Sequence, residues 1–145
     1  MRSDFAYGNR SLLRHRPLID RIIKKAGKKF SIKIYEKAVV SNHIHLLIRG
    51  YKRESIQNFF RVVAGHIAQE ILKEWPLSKQ EVYRRGSAPA KKREQKNKFW
   101  ETRIYSRVMK WGAEFFRVKA YVVKNTLEAL GLIQYKKRIS YKETG

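Results

Sequence analysis

His43 and His45 stand one residue apart at the start of the apolar run Ile44-His45-Leu46-Leu47-Ile48. In an extended strand successive side chains point to opposite faces, so the two imidazoles share one face and Ile44 and Leu46 take the other. Two imidazoles on one rigid face make half of a metal site. Far along the chain, Tyr121 and Asn125 lie four residues apart in a segment of helical periodicity, a spacing that stacks them on one helix face. The two histidines and the Asn125 carbonyl can hold a divalent ion, and the phenol one turn away can attack a phosphorus that the ion polarises. Phosphodiester cleavage needs charge stabilisation on the non-bridging oxygens and an in-line nucleophile. Two imidazoles and one amide oxygen leave coordination positions open for phosphate and water. Magnesium or manganese suits such a site, and manganese tolerates imidazole better. A tyrosine nucleophile yields a covalent phosphotyrosine, which conserves the bond for rejoining rather than hydrolysis.

Charge bounds the substrate class. Thirty-four Lys and Arg against twelve Asp and Glu give a formal net charge of +22 in 145 residues. That excess destabilises a compact fold by self-repulsion and is relieved by a polyanion. Nucleic acid leads, because neutralised phosphates release condensed counterions; an anionic membrane surface and mere solubility are the alternatives. The chain has no cysteine, which excludes disulfides and thiolate metal sites. No run approaches the roughly 18 apolar residues of a membrane span, and the N-terminus lacks a signal-peptide apolar segment, so a cytoplasmic, nucleoid-associated protein is expected. With 43% hydrophobic residues the chain is expected to fold as one domain over residues 1–145.

The elements that must position the chemistry follow from periodicity. Leu18, Ile19, Ile22, Ile23 and Ala26 predict a helix from Pro17 to Ala26, with Gly27 as terminator. Residues 32–40 alternate as a strand with Ile32, Ile34, Ala38 and Val40 on one face, and a turn at Ser41-Asn42 returns the histidine strand as a hairpin. Ser55 is the expected N-cap of a second helix with the stripe Ile56, Phe59, Phe60, Val63, Ile67 and Ile71, ended by Trp75-Pro76. Residues 77–98 read as a long basic loop, and residues 100–109 as a strand. The last helix is expected over residues 113–130, with a core stripe of Phe116, Ala120, Val123, Leu127 and Leu130, Gly131 as cap, and Tyr121 on the opposite side. A basic tail occupies about residues 133–145. The order predicts an α+β fold with a ferredoxin-like antiparallel sheet, βαββαβ with its first strand truncated to Met1-Arg2-Ser3, plus a C-terminal helix carrying the tyrosine.

Cations are spread through these elements. Arg49, Lys52 and Arg53 follow the histidine strand and are expected near the scissile phosphate. Lys91, Lys92 and Arg93 in the loop, and Arg103 and Arg107 on the expected third strand, are further candidates for phosphate contact.

The residues Ser41-Asn42-His43-Ile44-His45-Leu46-Leu47, Phe99-Trp100, Tyr105-Ser106-Arg107, Tyr121-Val122-Val123-Lys124-Asn125 and Glu128-Ala129-Leu130-Gly131-Leu132 together resemble the HUH-superfamily single-tyrosine transposases, of the REP-associated tyrosine transposase-like kind. His43-Ile44-His45 matches their His-hydrophobe-His motif. The resemblance implies that His43, His45 and Asn125 are metal ligands and that Tyr121 forms a 5′-phosphotyrosyl link. It implies single-stranded DNA beside an imperfect hairpin as substrate, Mg2+ or Mn2+ as cofactor, and a monomer or homodimer. Family members begin with a central strand before the first helix, and Met1-Arg2-Ser3 reads as the end of that strand in a chain that begins late. A hairpin-DNA-binding relative without cleavage activity and a basic RNA-binding protein are the alternatives.

Overall fold

The computed structural model describes residues 1–83, 99–101 and 104–136. Two short 3-10 turns, Gly8–Arg10 and Leu12–His15, lead into α1, Arg16–Lys29. A hairpin of β1, Lys33–Val39, and β2, Ile44–Arg49, follows. Then come α2, Arg53–Glu74, the short α3, Lys79–Tyr83, and α4, Ala113–Ala129. The hairpin is antiparallel, with α1 packed on α2 on one side and α4 laid across β1 and β2 on the other. This is the expected α+β architecture.

The expected stripe of α2 is the spine of the core. Phe59, Val63, Ile67 and Ile71 are fully buried, and Ile56 and Phe60 pack at its margin. Against it lie Ile19 and Ile23 of α1, Leu12, and Val39 and Ile44 of the hairpin. Trp75 ends α2, as the following proline requires. The helix starts earlier than Ser55, however. Lys52 is its N-cap residue with no side-chain cap bond, and Glu54 faces the positive end of the helix dipole in the first turn.

Gly27 does not terminate α1 but lies buried within it. A Cβ at this position would meet Ile34 Cδ1 at 3.1 Å and the Ile32 carbonyl at 3.3 Å, so the glycine lets β1 cross closely over the helix. The stop is supplied by Ser31, whose φ of 54° is left-handed, while the Ile32 N–H closes on the Gly27 carbonyl at 2.8 Å.

A bulge corrects the expected strand pattern. Ile34 pairs with Ile48 but Glu36 pairs with Leu47, leaving Tyr35 as the extra residue. One inserted residue reverses the alternation beyond it. Ile32 and Ile34 therefore face α1 and α2, whereas Ala38 turns with its partner His45 toward α4, and Val39, not Val40, enters the core.

Beside β2 runs the backbone of residues 1–3. The Ile44 N–H donates to the Met1 carbonyl at 2.8 Å, the Ser3 N–H donates to the Asn42 carbonyl at 2.9 Å, and Arg2 forms an antiparallel bridge with His43. On the far side the Glu101 N–H donates to the Arg2 carbonyl at 2.9 Å, and the buried Ser3 hydroxyl donates to the Phe99 carbonyl. The order across the hairpin is thus β1, β2, residues 1–3, residues 99–101. The expected strand over residues 100–109 is not formed among its described residues: residues 104–110 are irregular, and Tyr105 and Val108 are almost fully exposed.

Most of the expected basic loop, residues 84–98, lies outside the described residues, as do Lys91, Lys92, Arg93, Arg103 and residues 137–145 of the tail. The described start of that loop is partly helical. At α3 the Glu81 N–H donates to Ser78 Oγ at 3.2 Å and the Ser78 N–H donates to the Glu81 carboxylate at 2.8 Å, a reciprocal capping box.

The histidine face and helix α4

His43 and His45 lie at the turn end of β2, on the face that α4 covers. Their Nε2 atoms approach to 3.0 Å, with the rings edge to face. His43 Nδ1 stands 2.7 Å from the side-chain oxygen of Asn42. An amide oxygen only accepts, so Nδ1 carries the proton and, in the neutral ring, Nε2 carries the lone pair that points at His45. Burial, then the charges of His45, Arg2 and the chain's amino terminus, hold the His43 pKa down at about 4, which keeps the ring neutral near pH 7. Asn42 is the hydrogen-bonding neighbour of the pair that motif reading did not single out. Its place immediately before the first histidine, at the hairpin turn, is the signal that could have found it.

The rings of His45 and Tyr121 meet in a T-shaped arrangement, with centroids 5.7 Å apart and planes at 83°. One turn further along α4, Asn125 Nδ2 donates to the Tyr121 carbonyl at 2.8 Å, a bond that uses the amide nitrogen and not its oxygen. The structure therefore gathers His43, His45 and Tyr121, and sets Asn125 on the same helix just beyond them.

The helix reaches this position with a face different from the one its apolar pattern suggests. Val122 is the buried residue of α4, flanked by half-buried Phe115, Val118, Thr126 and Ala129, whereas Phe116, Val123 and Leu130 are exposed. Most of the expected core stripe is thus on the outer face, with Leu127 of that stripe half-buried, and Tyr121 borders the sheet. The tertiary partner decides which arc is buried. The hairpin presents Ala38, Leu47 and, because of the bulge, Tyr35, whose ring meets Phe115 edge-on at 5.2 Å. The Thr126 hydroxyl donates to the Lys37 carbonyl at 3.3 Å and anchors the helix next to Asn125. Gly131, with φ 71°, closes α4 as expected, its neighbour Leu132 donating to the Leu127 carbonyl at 2.9 Å.

The histidine pair suits a divalent ion. Two nitrogens bound at about 2.1 Å on adjacent octahedral positions stand about 3.0 Å apart, by the geometry of a right angle. The Nε2 separation of 3.0 Å has that value, and it equally serves an N–H···N bond between the two rings. Among the described residues no group of three His, Cys, Asp or Glu side chains could hold a metal ion.

The basic candidates are dispersed. Arg49 ends β2 on the histidine face, about 13 Å along the strand from His45 at 3.3 Å per residue. Lys52 and Arg53 are exposed at the start of α2. Arg107 is paired with Glu114 at 3.3 Å. Arg49, Lys52 and Arg53 follow the histidine strand at its end away from His43 and His45.

A family profile described as "Transposase IS200 like" matches residues 11–125, a span that contains both histidines and ends on Asn125. This chain belongs to the IS200-like transposase family, and its function is transposase-like processing of DNA. No curated protein and no solved structure gives a significant match. None of the helices among the described residues is long and apolar enough to cross a membrane.

Proposed function

We propose that this protein nicks and rejoins single-stranded DNA beside a hairpin, through a 5′-phosphotyrosine on Tyr121, with a divalent cation held by His43, His45 and the Asn125 carbonyl. The observation that carries this reading is the approach of the two Nε2 atoms to 3.0 Å with the Tyr121 ring 5.7 Å from His45. Bound there, Mg2+ or Mn2+ supplies charge to the non-bridging oxygens of the scissile phosphate. Manganese is favoured by the two imidazoles. The Tyr121 hydroxyl loses its proton and its oxygen attacks phosphorus. A P–O(Tyr) bond forms, the P–O3′ bond breaks, and the departing 3′-oxygen takes up a proton as a free hydroxyl. Attack by a 3′-hydroxyl reverses the step, so strand joining needs no external energy source.

The test uses the purified full chain, a hairpin oligonucleotide with single-stranded flanks, and Mn2+. An adduct that survives denaturing electrophoresis is expected, and Tyr121→Phe should abolish it while retaining hairpin affinity. An undiminished adduct in Tyr121→Phe refutes the assignment of the nucleophile. Hairpin binding without any adduct supports a non-cleaving DNA-binding protein instead, and a preference for structured RNA supports an RNA-binding one.

A further inference from the structure

At the open end of the hairpin, away from the histidines, a second cluster faces solvent on the same side of the sheet. Trp111, just before α4, rests its ring edge-on to Tyr35 at 5.3 Å and tilted over Phe115 at 4.8 Å. Although held from two sides, it is 61% exposed. The Arg49 guanidinium lies between two exposed rings, 5.6 Å from the centre of Trp111 and 5.3 Å from that of Tyr51, which is 82% exposed. Lys33, paired across the hairpin with Arg49, places its ammonium 5.1 Å over Tyr35.

Tyr35 and Phe115 account for the docking of α4. The outer faces of Trp111 and Tyr51 do not contribute to it, and large exposed aromatics interleaved with cations are what a single-stranded nucleic acid requires. Bases stack on the rings while phosphates meet the charges. Rings held by packing lose little freedom when a base stacks on them. In a chain of net charge +22 the complementary ligand is a polyanion, and unpaired bases add the π-faces that a membrane surface lacks.

We infer that Trp111, Arg49 and Tyr51 form a stacking platform for unpaired bases of the DNA strand whose phosphate is cut at Tyr121. The inference rests on the single-stranded DNA reading above. It adds a second point of attachment on the histidine face, about 13 Å along β2 from His45.

The experiment compares binding of the full chain to a labelled thymidine oligonucleotide of about 20 residues with binding to an abasic oligonucleotide of equal length and charge. The wild-type protein is expected to prefer the thymidine strand by about tenfold, and Trp111→Ala to remove most of that preference while leaving the salt dependence unchanged. Arg49→Ala should lower the slope of log affinity against log salt by about 0.7, the value for one single-strand phosphate contact. Trp111→Phe, which keeps a ring, should restore most of the preference. The platform is overturned if Trp111→Ala weakens both oligonucleotides equally or neither, or if Trp111→Phe is as weak as the alanine variant. Tighter binding of a uridine RNA of the same length than of the DNA overturns the assignment to DNA. An intact Tyr121 adduct alongside an unaffected Trp111→Ala refutes the platform alone. A wild-type preference for duplex over both single strands refutes the single-strand reading as well.

Discussion

Asn42→Ala tests how the histidine pair is prepared. Asn42 accepts the His43 Nδ1–H at 2.7 Å and so leaves Nε2 as the basic atom facing His45. Removing the acceptor forfeits a hydrogen bond of about 0.5–1.5 kcal/mol and frees the ring to turn or to carry its proton on Nε2, where it blocks a metal. Loss of an outer-shell partner of a metal-binding histidine typically weakens the metal about 10–100-fold. Because His43 is half-buried and keeps its packing against His45, the low end is expected: about tenfold, or about 1.4 kcal/mol. The assay is Mn2+ titration followed by electron paramagnetic resonance, paired with 15N chemical shifts of the His43 ring, which report the tautomer directly. Asn42→Asp keeps an acceptor at the same place and should hold or raise the affinity. The backbone bond from the Ser3 N–H to the Asn42 carbonyl survives both changes, so the fold has no reason to move. Unchanged Mn2+ affinity in Asn42→Ala, with the Nδ1–H tautomer still populated, would refute the reasoning.

Two further outcomes concern stability. Phe59→Ala empties the centre of the core, where the ring is fully buried, and should cost about 3–5 kcal/mol, read as a lower urea midpoint at unchanged slope. Glu81 accepts from the Tyr7 hydroxyl, the Ser78 N–H and Arg10, in that order of influence, and its carboxyl is held down at about 2 from an ordinary 4.5. A depressed carboxyl pKa stabilises the fold above about 4.5, and the contribution is lost as pH falls toward 2. Glu81→Gln should therefore melt lower than the wild type at pH 7, with the gap closing as the pH drops through that window. A gap independent of pH would show that the charge is not what holds α3.

The residues that could do chemistry were legible in the chain because strand and helix periods are local. One residue between His43 and His45 puts both on one side of any strand, and three residues between Tyr121 and Asn125 put both on one side of any helix. The hairpin, the buried stripe of α2 and the glycine that closes α4 are set by the same short-range rules. Which face meets which is not local. α4 carries two apolar arcs, and the choice of Val122 over Phe116 and Val123 was made by the surface of the hairpin. That surface was in turn set by a bulge at Tyr35 that no alternation pattern announces. The sequence determined the types and spacing of the groups, because dihedral periods act over a few bonds. Tertiary structure alone decided that Tyr121 meets His45 and that Trp111 stands beside Arg49, because burial and ring packing are settled between segments that the chain keeps far apart.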